Sequence, residues 1–226
     1  MSKSLKLVIF DVDGTLVDSQ VAILASMRHA FEVSGRPVPS REDTLGIVGL
    51  SLPEAMAVLA PDATRDEHLQ LSELYKTGHS THREDGAAVA EAVLYEGVRE
   101  VIHGLDARGY LLSAATGKSR RGLDRFLEVN EFRMFFGTQT ADEAPSKPHP
   151  QMVLQSLTAN GVDPQNAVII GDTEYDMAMG RAAGVRALGV SWGYHGRDRV
   201  GRGGAEAIAE HPSDLPALVQ ELIGSP

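Results

Sequence analysis

The chain has 226 residues, 42% of them hydrophobic, and a formal net charge of −10. This length suits one medium domain with a small insert, and an acidic surface argues against nucleic acid as a partner. The chain has no cysteine, which excludes disulfides, thiol nucleophiles and cysteine-ligated metals. No stretch is long and apolar enough for a signal peptide or a membrane span, so we expect a cytoplasmic protein without a membrane partner.

The first predicted element is a short strand at residues 7–10, which ends at two carboxylates. Its continuous run of β-forming residues is typical of a strand that is buried on both faces. Asp11 and Asp13 follow at once, and side chains two positions apart at a strand end point the same way. Two close carboxylates repel each other, and a hard cation such as Mg²⁺ would relieve that repulsion. The alternative is that Asp13 only opens an Asp-Gly turn.

Residues 17–85 read as a run of helices with no clear strand. The first helix has apolar residues at helical spacing and Asp18 as its predicted N-cap. Ser40 caps a short second helix, Pro53 opens a third, and a long polar helix follows from about residue 64. We therefore predict a helical unit at residues 17–85, inserted into a domain made of residues 1–16 and 86–226.

After residue 94 the pattern changes to alternating helices and strands. Strands are predicted at residues 110–115, 134–136 (weakly), 167–170 and 185–190, with helices at 98–108, 119–128, 151–160, 175–183 and 214–223. Residues 201–204 are glycine-rich and are predicted to form a loop. Alternation of this kind predicts βαβ units, and hence an α/β fold with a parallel sheet and right-handed crossovers.

Polar residues follow the apolar strands or open the helices of this predicted sheet. They are Asp11, Asp13, Thr116, Lys147, Asp172 and Asp176. Parallel strands bring such positions together at one edge of a sheet, where ligands bind. Carboxylates, a hydroxyl and an ammonium are what phosphoryl transfer through a covalent intermediate requires. Taken singly, Thr116 or Asp172 could instead cap a helix, and Lys147 could be a solvated surface lysine.

The same residues resemble four motifs of the haloacid dehalogenase-like (HAD) superfamily, in the superfamily's order. The first motif is similar to Asp11-Val12-Asp13-Gly14-Thr15, the second to Thr116, the third to Lys147-Pro148, and the fourth to the segment from Gly171 to Asp176. The resemblance spans most of the chain. It implies a doubly wound, Rossmann-like parallel sheet with a small α-helical cap inserted after the first strand.

The resemblance also implies a role for each residue. Asp11 would attack phosphorus and form an aspartyl-phosphate, and Asp13 would protonate the leaving alcohol and later take a proton from water. Thr116, Gly117 and Lys147 would bind the phosphoryl oxygens. The implied Mg²⁺ ligands are Asp11, the backbone carbonyl of Asp13, and Asp172, with Asp176 behind them or bound through water.

Asp13 discriminates between activities of the superfamily. Dehalogenases lack an acid at this position, whereas phosphatases and phosphomutases need one to protonate an alkoxide. Sugar-phosphate mutases place basic residues in the cap loop that corresponds to residues 46–52, and that loop has no charge here. The resemblance is therefore to phosphoglycolate phosphatase-like members. One alternative is a sugar-phosphate mutase. The other is a non-catalytic relative that binds a phospho-ligand or a protein, and the complete set of motif residues argues against this second alternative.

The sequence thus predicts a Mg²⁺-dependent phosphatase that acts on a small phosphorylated metabolite and exists as a monomer or homodimer. The cap would select the substrate. Arg41, Glu42 and residues 46–51 are the candidates for specificity, and the region of Val17 and residues 84–90 are the predicted hinges.

Overall fold

A computed structural model describes residues 4–84 and 93–226 of the chain. Its strands are β1 (Leu7–Phe10), β2 (Val17–Asp18), β3 (Val93–Leu94), β4 (Leu111–Thr116), β5 (Gln139–Thr140), β6 (Ala167–Gly171), β7 (Arg186–Val190) and β8 (Ala207–Ala209). Six of them form a parallel sheet in the order β5-β4-β1-β6-β7-β8. The predicted α/β fold with a parallel sheet is confirmed.

The helices alternate with these strands in the second half of the chain, as predicted. They are α1 (Gln20–Val33), α2 (Arg41–Gly46), α3 (Leu52–Leu59), α4 (Arg65–Glu84), α5 (Val98–Ala107), α6 (Arg120–Val129), α7 (Gln151–Asn160), α8 (Glu174–Ala183), α9 (Arg197–Gly203) and α10 (Leu215–Ile223). Two single 3₁₀ turns, Pro164–Asn166 and Pro212–Asp214, precede β6 and α10. No helix within the described ranges combines the length and the hydropathy that crossing a bilayer requires.

The strand β1 lies at the centre of the sheet and sets the position of the carboxylates that follow it. It pairs with β4 on one side and with β6 on the other, and all four of its side chains are fully buried. Val8 and Phe10 pack into a core with α5, α6 and α10, while Leu7 and Ile9 pack with α7 and α8 on the opposite face. Burial on both faces explains why the strand has no polar alternation.

Helices α1, α3 and α4 share a smaller core of their own. Met27, Phe31, Met56 and Leu71 are its central members. This packing is separate from the two cores of the sheet, but the division at residues 16/17 and 85/86 stays a prediction. Residues 85–90 of the predicted second hinge lie outside the described residues.

Four local predictions were wrong. The run from residue 17 is not free of strands, because Val17–Asp18 pairs antiparallel with Val93–Leu94. A strand of two residues is too short to show a period in sequence. Asp18 lies in β2, and Ser19 occupies the N-cap position of α1, although the Asp18 carboxylate still accepts a hydrogen bond from the Gln20 amide, at 3.0 Å.

The glycine-rich segment 201–204, which was predicted to be a loop, belongs largely to helix α9. This helix is held by Val200, which is fully buried; a Cβ atom at Gly189 in β7 would lie only 2.4 Å from its side chain. Close packing, rather than helix propensity, therefore stabilises the segment. The weak strand predicted at residues 134–136 is only an isolated bridge between Leu112 and Phe135, and β5 follows a few residues later.

Candidate active site

The carboxyl edge of the sheet brings the predicted site residues together. Asp11 follows β1, Thr116 ends β4, and Asp172 follows β6. Lys147 extends from the loop before α7, and Asp176 lies in the first turn of α8. Carboxylate oxygens of Asp11, Asp172 and Asp176 lie within 4.8 Å of one another, and all three residues are buried. We call these three residues and Lys147 the carboxylate cluster.

Lys147 is the buried cation of this cluster. Its Nζ atom lies 2.8 Å from Asp11 Oδ1 and 2.6 Å from Asp176 Oδ1. Burial by itself lowers the pKa of a lysine, but the charges of Asp11 and Asp176 outweigh it and raise the pKa of Lys147 above its usual value. Lys147 is therefore a fixed positive charge, and the alternative of a solvated surface lysine was wrong.

Asp11 is only partly compensated by this lysine. Burial raises the pKa of Asp11 to about 7, the charges of Asp176 and Asp13 add to that effect, and Lys147 opposes it. Its Oδ2 atom is buried and has no hydrogen-bond partner within the described chain. An unpaired buried carboxylate oxygen is costly, and such a group is a sign of an absent ligand or of a reactive atom.

Asp172 is held in place by its neighbours in sequence and in space. Thr15 Oγ1 donates a hydrogen bond to Asp172 Oδ1 at 3.0 Å, and the Tyr194 amide donates to Oδ2 at 2.8 Å. Cβ atoms at Gly14 or Gly193 would lie 2.2 Å from the Asp172 side chain, so glycine is required at both positions. Burial and the charges of Asp11 and Asp176 raise the pKa of Asp172 well above its usual value.

The donor set fits a hard divalent cation. Three buried carboxylates within 4.8 Å face a single ammonium, and burial together with the neighbouring negative charges raises the pKa values of Asp11 and Asp172. Oxygen ligands of this kind suit Mg²⁺, which is bound by one or two carboxylates with water and phosphate. A cation would supply the positive charge that the cluster lacks.

The alternatives in which Thr116 and Asp172 only cap helices are wrong. Thr173, not Asp172, caps α8: its hydroxyl accepts from the Asp176 amide, and the Asp176 carboxylate binds the Thr173 backbone in return. Ser119, not Thr116, caps α6, since its side chain accepts from the Gly122 amide. Thr173 was not predicted as a site residue, although the Thr-x-x-Asp spacing is that of a capping box and signals it.

Asp13 lies at the edge of the cluster and has different partners. Lys118 Nζ lies 2.8 Å from Asp13 Oδ1, and the Ser19 hydroxyl makes a very short hydrogen bond to the same oxygen. The Ser19 amide in turn donates to the hydroxyl of Tyr194, at 2.8 Å. Sequence reasoning missed both Lys118 and Ser19. In the sequence, the feature that could have indicated Lys118 is its position, since this lysine directly follows Thr116-Gly117.

The loop at residues 46–51, the cap loop, lies against the sheet's carboxyl edge. The Ser51 amide donates to Ser146 Oγ at 2.8 Å. A Cβ atom at Gly117 would lie 2.9 Å from the Leu50 carbonyl oxygen and 3.0 Å from that of Gly49. The cap loop thus lies directly over the segment that was predicted to bind phosphoryl oxygens, and the approach is close enough to require glycine at position 117.

Three side chains converge on one carbonyl of the cap loop, that of Gly46. The Tyr175 hydroxyl, His195 Nε2 and Arg199 Nη2 all donate to this oxygen, at 3.2, 3.1 and 3.2 Å. We call these three side chains the Gly46 clasp. Nothing in the sequence pattern indicated it. Of the specificity candidates on α2, Arg41 and Glu42 are exposed, and Arg41 contacts Gln20.

His195 is a neutral donor in this clasp. The Glu174 amide donates to its Nδ1 at 3.3 Å, so the proton resides on Nε2, which faces Gly46. Burial lowers the pKa of His195 to about 4, and the nearby charge of Arg199 adds to that effect.

Comparison with known proteins identifies the family. A model of the haloacid dehalogenase-like hydrolases matches residues 8–190. The chain belongs to this family. Among curated relatives, pyrophosphatase PpaX of Bacillus pumilus is 32% identical over 214 residues, which cover 94% of this chain and 95% of PpaX. The predicted family and enzyme class, a HAD-like phosphatase, are confirmed.

Solved structures show the same fold. A hydrolase from Pseudomonas syringae superposes with a TM-score of 0.83 at 22% identity, covering 96% of this chain and 99% of that one. A putative phosphoglycolate phosphatase from Lactobacillus delbrueckii subsp. bulgaricus gives 0.81 at 20% identity, covering 99% and 100%. The predicted Rossmann-like architecture is therefore confirmed.

Proposed function

We propose that the chain is a Mg²⁺-dependent phosphatase that hydrolyses a small phosphorylated metabolite through an aspartyl-phosphate on Asp11. The observation that carries this proposal is the asymmetry of the Asp11 carboxylate. Oδ1 is held by Lys147 at 2.8 Å, while Oδ2 is buried and has no hydrogen-bond partner among the residues that the structure describes. One oxygen is thus fixed in orientation, and the other is free of hydrogen bonds and suited to attack phosphorus.

The residues present would perform the reaction in two steps. Asp11 Oδ2 forms a bond to phosphorus while the bond from phosphorus to the leaving oxygen breaks, and Asp13 gives that oxygen a proton. Water then attacks the phosphoenzyme, Asp13 takes the proton from the water, and the Asp11–phosphorus bond breaks to release phosphate. Thr116, the Gly117 amide and the third hydrogen of the Lys147 ammonium would bind the phosphoryl oxygens.

The metal would be held by Asp11, Asp172 and the backbone carbonyl of Asp13, with Asp176 bound through water. When bound, Mg²⁺ would offset the negative charge shared by nucleophile and phosphate. Burial raises the pKa values of Asp11 and Asp172, and the charges of the neighbouring carboxylates add to that effect; a bound cation would oppose both.

The cap loop supports hydrolysis of a small substrate. It lies directly over Gly117 and carries no charged residue, so it covers the phosphoryl site without offering a second phosphate site of its own. Exclusion of bulk water from such a site strengthens its electrostatic interactions. The pyrophosphatase relative supports adding inorganic pyrophosphate to a panel of small phosphoesters. A cytoplasmic location and a monomeric or homodimeric state stay predictions.

The test is phosphate release from that panel, with and without Mg²⁺, by the wild type and by Asp11→Asn. We expect wild-type turnover that requires Mg²⁺ and a phosphoenzyme that hydroxylamine cleaves. Asp11→Asn should lose about 1,000-fold or more in kcat, because removing a covalent nucleophile has effects of at least this order. Asp106→Asn, at an exposed position on α5, is the matched control. Substantial phosphatase activity in Asp11→Asn would overturn the nucleophile assignment.

A further inference from the structure

The chain just beyond β7 contacts the candidate site through backbone and side chains together. We call residues 192–195 the post-β7 segment. Trp192 Nε1 donates to the Thr15 carbonyl at 3.1 Å, and the Tyr194 amide donates to Asp172 Oδ2 at 2.8 Å. None of the roles proposed above uses the side chain of either aromatic residue.

The backbone of this segment is packed directly on Asp172. A Cβ atom at Gly193 would lie 2.2 Å from the Asp172 side chain, and the amide of the next residue binds the same carboxylate. Asp172 is fully buried, and close-packed interiors leave little space for one group to move alone. The orientation of the Asp172 carboxylate and the backbone position of residues 193–194 therefore depend on each other.

The side chain of Tyr194 extends from this point to the first helix of the predicted cap. Its hydroxyl accepts a hydrogen bond from the Ser19 amide at 2.8 Å, and Ser19 occupies the N-cap position of α1. Helix α1 packs with α3 and α4 in their own core. Tyr194 thus binds Asp172 with its backbone and the start of α1 with its side chain.

The residues on either side of Tyr194 contact the other parts of the predicted cap. The ring of Trp192 meets that of Tyr95 edge to face, with 6.4 Å between the ring centroids, and Tyr95 directly follows β3, where the chain returns towards the sheet. His195 Nε2 donates to the Gly46 carbonyl of the cap loop at 3.1 Å. Four consecutive residues therefore contact the outgoing connection, the returning connection and the cap loop.

We propose that Tyr194 is a positioning residue that couples cation binding at Asp172 to the position of α1. A cation that orients the Asp172 carboxylate favours the backbone position of residues 193–194, and with it the hydrogen bond from Ser19 to the Tyr194 hydroxyl. Coupling of this kind is reciprocal, so the hydrogen bond strengthens cation binding by the same factor. This role rests on the metal site of the proposed function and goes beyond it, because Tyr194 acts through Asp172 and Ser19 and is not itself a ligand.

Tyr194→Phe provides the test, because it removes the hydroxyl and keeps both the ring and the amide that binds Asp172. We would measure the affinity for Mg²⁺ alone by calorimetric titration, and hydrogen exchange of residues 17–24 with and without Mg²⁺. Tyr110→Phe is the matched control. Its hydroxyl also makes a hydrogen bond to the backbone, to the Gly224 carbonyl at 2.9 Å, but Tyr110 precedes β4 and so lies at the opposite end of that strand from Thr116.

In the wild type we expect Mg²⁺ to slow hydrogen exchange at residues 17–24. In Tyr194→Phe this slowing should disappear, and the affinity for Mg²⁺ should fall by about two- to tenfold, the range of one net hydrogen bond. Tyr110→Phe should retain both properties. A purely structural role of the Tyr194 hydroxyl would instead speed exchange equally with and without Mg²⁺ and leave the affinity unchanged, and that result would overturn the proposal.

These measurements separate the role of Tyr194 from the phosphatase function, because neither depends on turnover. A loss of Mg²⁺ affinity and of Mg²⁺-dependent protection in Tyr194→Phe supports the coupling even if the wild type releases no phosphate from any substrate, and that lack of release would count against the function alone. Conversely, Mg²⁺-dependent phosphate release by a wild type whose exchange at residues 17–24 does not respond to Mg²⁺ would leave the function intact and overturn the coupling.

Discussion

The carboxylate cluster and the cap loop are held in different ways. The cluster is made by side chains that are fully buried and bind one another: Asp11 and Asp176 share Lys147, and Asp172 is fixed by Thr15 and Tyr194. The cap loop is held through its backbone, at the Gly46 carbonyl and the Ser51 amide. The predicted catalytic residues thus lie in the core, whereas the cap loop contacts the edge of the sheet through hydrogen bonds of its backbone.

The energies of these two arrangements differ in scale. Removing one partner of a buried ion pair leaves an uncompensated charge and costs about 3–5 kcal/mol. A hydrogen bond such as one of those to Gly46 contributes about 0.5–1.5 kcal/mol net. Each hydrogen bond of the cap loop is therefore weaker than an ion pair of the cluster, as expected if the predicted cap opens and closes over a substrate.

The largest expected effect is that of Lys147→Met. It leaves Asp11 and Asp176 facing each other without a cation, and we expect phosphatase activity to fall about 1,000-fold or more. Unfolding in urea should show a loss of about 3–5 kcal/mol. Lys6→Met, which removes a lysine bound to Asn166, is the control and should cost about 1 kcal/mol or less.

The double variant Asp11→Asn/Lys147→Met sharpens this prediction. Neutralising Asp11 removes part of the repulsion, so the double variant should be more stable than Lys147→Met alone, with a coupling energy of about 0.5–3 kcal/mol. If Lys147→Met were as stable as the wild type, the ion pair of Asp11 and Lys147 would not stabilise the cluster. The proposed difference in energy between the cluster and the cap loop would then be wrong.

The cluster could be predicted from the sequence because each member follows an apolar strand or opens a helix. Asp11 and Thr116 lie directly at strand ends, and a parallel sheet carries such ends to one edge. Lys118 was not predicted, since a lysine at the start of a helix is usually solvated. Its contact with Asp13 depends on how β4 and β1 are aligned, which the sequence does not state.

The contacts of the cap loop were beyond sequence reasoning for a different physical reason. The acceptor that the Gly46 clasp binds is a backbone carbonyl, and every residue has one. No residue type marks position 46 as an acceptor for Tyr175, His195 and Arg199. The two-residue strands β2 and β3 were missed because their pairing joins distant segments: the partners Asp18 and Val93 are 75 positions apart in the chain.

The next largest effect concerns the close approach of the cap loop to Gly117. In Gly117→Ala, the new Cβ atom would lie 2.9 Å from the Leu50 carbonyl oxygen, so the cap loop must move away. We expect kcat/KM to fall about 10- to 100-fold, since small displacements at a site have effects of this order, with hydrogen exchange faster across residues 46–51.

Gly104→Ala is the matched control for that prediction. Gly104 lies in α5, and a Cβ atom there meets nothing within 4 Å. This substitution should leave activity unchanged and stabilise the chain by about 0.5–1 kcal/mol, because alanine loses less backbone entropy than glycine in a helix. Gly117→Ala with unchanged hydrogen exchange at residues 46–51 would contradict the contact.

The last effect expected is a pH dependence of stability that arises in the Gly46 clasp. The pKa of His195 is lowered from 6.5 to about 4 because the ring is buried and Arg199 is close, while Glu174 and Asp176 oppose the shift. The unfolded chain thus binds more protons than the folded chain between these two values. The stability that the neutral His195 contributes is complete above pH 6.5 and is lost as the pH falls towards 4.

His195→Gln should remove this dependence, because glutamine can donate to the Gly46 carbonyl but does not titrate. The difference in unfolding free energy between wild type and variant should shrink by about 2–3 kcal/mol from pH 7 to pH 4. Carboxylates such as Asp11 titrate in both proteins and cancel in the difference. His103→Gln, at an exposed position on α5, controls for loss of an imidazole. A difference that stays constant over this range would mean that His195 is not held neutral at the Gly46 carbonyl.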